Sequence, residues 1–269
     1  MTLHREIPEP LVAKSKRIVV VGDLHGDAES AARVESLFVP ESDILVFLGD
    51  YTDRGPDSLG CVKAILTLLS RYPERVFAIR GNHEEYSPDG EPDFAPCDLV
   101  EKVEASGQPW PAYFTDVYQP FVERLPLSVR LKGVALFVHA GVSGCITNPA
   151  DLNSPDEDLR AIMLFSDSTD RFDGEQFNRI RGRGTRFGAG TTKQVCQTLG
   201  VERIFRGHQH GLGRRGPGLQ HDNRLVTVIT SAVYCRRPYV VSFKPGAVDS
   251  LTRICLRSGR ETTVADSRL

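Results

Sequence analysis

Short apolar runs that end in clusters of glycine, carboxylate and imidazole recur along this chain. Residues 17–21 (Arg-Ile-Val-Val-Val), 44–48 (Ile-Leu-Val-Phe-Leu), 75–79, 133–138 and 203–206 are each four to six residues long and rich in β-branched or aromatic side chains. They predict buried strands, being too short for helices and bounded by turn formers. Between them, residues 28–38, 56–71, 114–124 and 191–199 repeat apolar positions at intervals of three and four, which predicts amphipathic helices of an α/β protein. Asp27 is suited to cap the first of these, and Pro56 is tolerated in the first turn of the second. Residues 225–229 and 239–243 predict the closing strands of a hairpin-rich sheet, with 231–235 connecting them. Residues 143–168 read as loop and short helix with Leu159, Ile162, Met163 and Phe165 turned to the core. Residues 86–111, rich in proline, glycine and acid, predict a surface loop or lid with weak helical character near 99–103. No repeat or linker interrupts the pattern. One domain over residues 1–269, with its core at about 17–257, is expected, because a division would separate the chemistry-bearing clusters.

Composition narrows the function classes. The 269 residues are 40% hydrophobic, and 33 Lys+Arg against 35 Asp+Glu leave a formal net charge of -2. That balance gives no general case for nucleic acid or anionic membrane as partner. Residues 1–16 lack the apolar centre of a signal peptide and no apolar run could span a bilayer, so a cytoplasmic monomer is expected. The cysteines at 61, 97, 145, 196, 235 and 255 contain no Cys-x-x-Cys pair. Reduced, mostly buried thiols are expected rather than a zinc knuckle or a disulfide framework.

The clusters at the strand ends carry the chemistry. They are Gly22-Asp23-Leu24-His25-Gly26-Asp27, Gly49-Asp50-Tyr51-Thr52-Asp53-Arg54-Gly55, Arg80-Gly81-Asn82-His83-Glu84, His139-Ala140-Gly141 and Gly207-His208-Gln209-His210-Gly211. Any one of them reads equally well as a polar turn. Their recurrence at successive strand ends, where α/β proteins place ligands, does not. In extended chain Asp23 and His25 point to one side. Asp50 sits where a carboxylate could bridge two cations, with Asp53 and Arg54 one turn further out, toward substrate. Asp23, His25, Asp50, Asn82, His139 and His208 form a nitrogen and oxygen donor set without thiolate, which suits two divalent ions such as Mn, Fe or Zn better than Ca or Mg. Two ions sharing one carboxylate make a site for phosphoester hydrolysis by direct in-line attack of a metal-activated hydroxide. Arg54 and Arg181 could then face the phosphoryl oxygens, and His83, its ring oriented by Asp53, could protonate the leaving oxygen. The arginines among glycines at 179–188 read as a flexible loop or as an anion clamp. Neither a serine-nucleophile motif nor a nucleotide phosphate loop is present.

These motifs, in this order, resemble the signatures of the PPP family of metallophosphoesterases, the serine/threonine phosphoprotein phosphatases within the calcineurin-like superfamily. The resemblance implies a four-layer α/β/β/α fold, a central β-sandwich of two mixed sheets flanked by helices. It implies one metal held by Asp23, His25 and Asp50 and a second by Asp50, Asn82, His139 and His208. It further implies His83 as proton donor paired with Asp53, and Arg54, Asn82 and Arg181 as substrate contacts. Ser231-Ala232-Val233-Tyr234-Cys235 resembles the Ser-Ala-Pro-Asn-Tyr-Cys loop that overhangs the site in that family, one residue shorter and without Pro-Asn, and nominates Tyr234 as a substrate-side residue. Arg183 competes with Arg181 for the second phosphate-binding place, and most of residues 85–112 has no counterpart in the family. The implied protein is a compact, microbial-type catalytic domain acting on phosphorylated proteins or small phosphoesters. The nearest alternative is a diadenosine tetraphosphate hydrolase, favoured by Arg54-Gly55-Pro56-Asp57-Ser58-Leu59; a non-catalytic module that binds phosphorylated partners is a third reading.

Overall fold

A computed structural model describes residues 2–264; Met1 and residues 265–269, included in the expected domain, lie outside the described residues. The strands in chain order are β1 His4–Glu6, β2 Arg17–Val21, β3 Asp43–Phe47, β4 Val76–Ala78, β5 Ser128–Leu131, β6 Ala135–Val138, β7 Asp167–Ser168, β8 Glu175–Phe177, β9 Thr185–Phe187, β10 Arg203–Arg206, β11 Gly218–Gln220, β12 Leu225–Thr227, β13 Tyr239–Lys244, β14 Ala247–Cys255 and β15 Glu261–Thr263. Two six-stranded mixed sheets result, one ordered β1-β5-β6-β10-β12-β11 and the other β15-β14-β13-β2-β3-β4, with a small sheet β7-β9-β8 beside them.

Side-chain alternation explains the layering. Ile18, Val20, Ile44 and Val46 meet Val129, Leu131, Phe137 and Phe205 in a core between the two sheets. Their neighbours Val19, Val21, Leu45 and Phe47 point the other way, onto helices Ala28–Leu37 and Ser58–Arg71 and the helical stretch that follows. On the far side, Leu136, Val138 and Ile204 pack against helices Glu157–Phe165 and Ala189–Leu199. Runs that looked uniformly apolar are thus strands covered on both faces. The four layers implied by the family resemblance are present.

Several expectations change. Helix Ser58–Arg71 is capped by Asp57, which accepts from Gly60 N at 2.7 Å, so Pro56 lies before the helix and not in its first turn. The helix expected over 114–124 begins at Trp110 and passes through a π-type segment, Phe114–Tyr118; Pro120, two residues on, has no N–H to continue the ladder. The two strands expected to close one sheet lie in different sheets: β12 runs parallel to β10, whereas β13 pairs with β2 and β14. Strands β1, β5, β7, β8, β9, β11, β14 and β15 were not anticipated. All six cysteines are free, and three of them are buried.

The parallel strands β2, β3 and β4 of one sheet and β6, β10 and β12 of the other end at the same place. There the sheets meet through a bridge between Asp23 and Ile229. Two glycines permit the approach. A Cβ on Gly207 would collide with Oδ1 of Asp23, and Gly49, at φ +95°, sits where a side chain would strike the backbone of Gly81. No helix among the described residues is long and apolar enough to cross a membrane.

Candidate active site

The strand ends bring Asp23, His25, Asp50, Asn82, His83, His139 and His208 together, all buried. Asp50 stands in the middle. Its Oδ2 lies 3.3 Å from His25 Nε2, and its Oδ1 lies 3.4 Å from His139 Nε2. On the first side His25 Nε2 is 3.9 Å from Asp23 Oδ2 and 3.1 Å from His210 Nε2, and His210 Nε2 is 3.0 Å from Asp23 Oδ2. On the second side His139 Nε2 lies 3.2 Å from His208 Nδ1, and Asn82 Oδ1 lies 3.1 Å from the former and 2.9 Å from the latter.

Two hydrogen bonds fix what these nitrogens offer. His25 Nδ1 is 2.9 Å from Thr52 O and His139 Nδ1 is 2.8 Å from Leu48 O. A carbonyl only accepts, so both Nδ1 atoms donate, and in the neutral ring each Nε2 presents a bare lone pair. Burial keeps the His25 and His208 imidazoles neutral: it brings His25 down to about 3 and drives His208 well below its usual value. The lone pairs of His25 Nε2 and His139 Nε2 therefore face the two oxygens of the Asp50 carboxylate. A pair of cations would satisfy that arrangement, and the backbone carbonyls behind the rings are the supports a metal-bound histidine uses. The donors fit two divalent ions. Asp23, His25, Asp50 and His210 could hold one, and Asp50, Asn82, His139 and His208 the other.

The loops that carry these groups are strained and braced. His25, Asp50, Asp53, Arg54 and His208 all adopt φ between 45° and 68°, a conformation costing on the order of 1–3 kcal/mol for each non-glycine residue. The extended geometry expected for Asp23 and His25 is thus not how they converge; a left-handed turn at His25 does it. Buried Glu84 accepts from the N–H groups of Asp50, Tyr51 and Gly81 at 2.8–2.9 Å and ties the second and third motif loops together. His208 N donates to both oxygens of Asp23 at 3.0 Å. The fully buried Arg206 donates to Ala140 O, Ser166 O and Gln209 Oε1, pinning the end of β10; burial lowers its guanidinium to about 10.

His83 Nδ1 lies 2.7 Å from Asp53 Oδ2, and its Nε2 accepts from Arg54 Nη2 at 2.9 Å. Asp53 itself is buried, which alone would raise its carboxyl. The bond to His83 and the N–H groups of Asp98 and Leu99 outweigh that and hold it low. Of the two residues expected to reach outward, Arg54 does so, and Asp53 faces His83 instead. Arg54 Nη1 donates to Tyr234 Oη at 2.6 Å, so Tyr234 reaches the rim of the site despite its shortened loop. The segment 85–98 borders the site: the Phe94 ring lies 4.4 Å from His83, and Asp98 Oδ2 accepts from Arg54 N.

The two candidate arginines part company. Arg181 grips Asp167 through Nε and Nη2 at 2.8 and 2.9 Å, and the same Asp167 lies 3.9 Å from His208 Nε2. Its Nη1 has no partner among the described residues. Arg183 is committed to Asp93 in the bordering segment through both terminal nitrogens. We expect Arg181→Ala to raise KM for a phosphoester by about tenfold, the worth of one charge-assisted contact, with Arg183→Ala nearly neutral. Steady-state kinetics on both variants checks this, and the reverse order would reassign the role.

The sequence reading missed His210. It stands two residues after His208, the spacing that separates Asp23 from His25, and that parity was the available signal. Its ring stacks on Tyr234, with centroids 3.7 Å apart and planes within 7°. Phe94 had no sequence signal.

A family model described as calcineurin-like phosphoesterase matches residues 16–212. The chain belongs to the calcineurin-like phosphoesterases. A Caenorhabditis elegans phosphoesterase provisionally named a serine/threonine-protein phosphatase is 32% identical, over 81% of this chain and 59% of its own length. The chain spans about half the length of the curated relatives it matches. Among solved structures, a Saccharomyces cerevisiae protein serine/threonine phosphatase with similarity to human phosphatase PP5 superposes with TM-score 0.74 at 21% identity, covering 100% of this chain and 84% of that one. A provisionally named diadenosine tetraphosphatase superposes with TM-score 0.52 at 18% identity over the whole of both chains. At these identities the two structures speak for the phosphoesterase fold alone.

Proposed function

We propose that this chain hydrolyses phosphoserine and phosphothreonine in proteins as a two-metal phosphoesterase. One observation carries the reading: the two oxygens of Asp50 face two separate donor clusters. The names of the relatives at hand support the substrate class. Because both sheets contribute donors, we treat the described chain as one catalytic unit.

Two divalent ions held there, Mn, Fe or Zn by their donors, would polarise the phosphoryl oxygens and acidify an attacking water. The chain's own groups do the rest. Arg54, at the rim, and Arg181, through its open Nη1, bind non-bridging oxygens. A phosphate dianion draws the Arg54 guanidinium away from His83 Nε2. That nitrogen can then carry the proton delivered to the leaving serine or threonine oxygen, while Asp53, held ionised, stabilises the protonated ring. Tyr234 and the segment 85–98 bound the entrance.

The test is phosphate release from a phosphoserine peptide and from diadenosine tetraphosphate, with protein stripped by a chelator and then resupplied with Mn. Stripping is expected to remove at least about 99% of turnover, a loss of several kcal/mol of transition-state stabilisation. Mn should restore it, with the peptide the faster substrate. Chelator-resistant turnover would contradict the two-metal reading, and a dinucleotide preference would move the substrate to the alternative class.

A further inference from the structure

We infer that a groove lined by Arg236, Arg237, Arg253, Arg257 and Arg260 binds an acidic peptide segment that flanks the phosphorylated residue of a protein substrate. The inference rests on the phosphoprotein reading above and extends it to the kind of sequence selected. The groove encloses about 530 Å³ on the outer part of the β13-β14-β15 sheet edge. In a chain of net charge -2 such a concentration of one sign is a local feature.

The arginines here differ from several others in the molecule. Arg17, Arg33, Arg130, Arg160, Arg181 and Arg183 each hold a carboxylate within 3 Å. None of the five groove arginines has a carboxylate partner among the described residues. Arg253 donates to Arg237 O at 3.2 Å and lies 4.8 Å over the Tyr239 ring, which fixes its stem and leaves its charge uncompensated. Exposed Arg214 and Arg215 extend the same field. They follow Gly213, whose carbonyl accepts from Tyr239 Oη at 2.6 Å, and a Cβ on Gly216 would sit 3.9 Å from Arg253 Cδ. Unpaired guanidinium forks gathered around a concavity repel one another until carboxylates or phosphates arrive, and they bind such groups bidentately.

Position supplies the link to catalysis. Arg236 and Arg237 follow Tyr234 by two and three residues, and Tyr234 Oη bonds Arg54 at the rim of the metal cluster. Three residues of chain span at most about 11 Å. A peptide with its phosphoresidue in the site would therefore lay side chains roughly three or more positions away against these arginines. The lining carries no exposed aromatic ring on which bases could stack; the nearby Tyr239 is buried. That favours peptide over single-stranded nucleic acid, which binds through such platforms.

The test uses the Mn-loaded full chain and labelled peptides bearing a non-hydrolysable phosphonate at the scissile position. The flank is Glu-rich, carries a second phosphoserine, or is Gln-rich, and binding is read by fluorescence anisotropy. The wild type is expected to bind both acidic flanks about tenfold or more tighter than the neutral one, the gap closing as salt is added. Arg236→Glu/Arg237→Glu/Arg257→Glu/Arg260→Glu should abolish the preference, and the milder set with Gln at the same four positions should reduce it. Turnover of the matching neutral-flank phosphopeptide should stay unchanged in both. Equal wild-type affinity for all flanks, a preference surviving in both variants, or equal binding of a single-stranded oligonucleotide of the same charge would overturn the inference. A clear acidic preference without turnover of any phosphopeptide would instead sink the substrate reading and leave the groove standing.

Discussion

Replacing His83 by Asn is expected to lower kcat by about 10²–10⁴-fold, the range spanned by general acid catalysis, while metal content and fold stay intact. The geometry sets this expectation. Asn can still accept from Arg54, but it cannot carry a proton to the leaving oxygen, so the loss should fall on kcat and not on KM. A second property of the variant separates chemistry from positioning. Substrates with good leaving groups, such as aryl phosphates, need less protonation and should suffer less than phosphoserine peptides. Rates on the two substrate types, measured with wild type and His83→Asn, decide the matter. An equal loss on both would remove the acid role and leave His83 as a brace for Arg54.

Asp50→Asn is expected to have the larger effect, a fall in turnover on the order of 10³-fold or more, because a lost bridging charge forfeits several kcal/mol of transition-state stabilisation. The substitution is nearly isosteric. Its carbonyl oxygen can still accept from His83 N, which donates to Asp50 Oδ1 at 3.0 Å, so the loop should keep its shape. What disappears is the second anionic oxygen. Elemental analysis should find two ions per chain in the wild type and at most one in the variant. Two retained ions with full activity would show that Asp50 is not shared between the clusters.

Much of this arrangement was legible in the sequence because it follows from local rules. Short apolar runs ending at Asp23, Asp50, Asn82, His139 and His208 are strands whose ends converge, and Asp27 capped its helix as its position suggested. Other features depend on tertiary context. β14 buries Val248, Leu251 and Ile254, a spacing of three where a half-covered strand would alternate; a register shift at Ser242/Lys244 accompanies it. The separation of β12 from β13 was hidden because each is apolar on both faces, and nothing in such runs states which sheet they join. The conformations of His25 and Asp50 were equally invisible, since the left-handed backbone there is imposed by Glu84 and by the neighbouring strand, both distant in sequence. Phe94 came into view only when residues 85–98 folded back over His83, a matter of loop closure that no periodicity encodes.

The bifurcated hydrogen bond from His208 N to the Asp23 carboxylate crosses from one sheet to the other, and so does the stack of Phe205 on Phe243, 5.2 Å apart and parallel within 7°. Neither donor cluster belongs to one sheet: each needs the two halves of the sandwich held at a fixed separation. Affinity for the proposed ions would thereby be a gauge of interior packing some distance away. Substitutions that let the halves drift by a fraction of an ångström would present as metal deficiency, correctable by raising the ion concentration, even where every donor residue is intact.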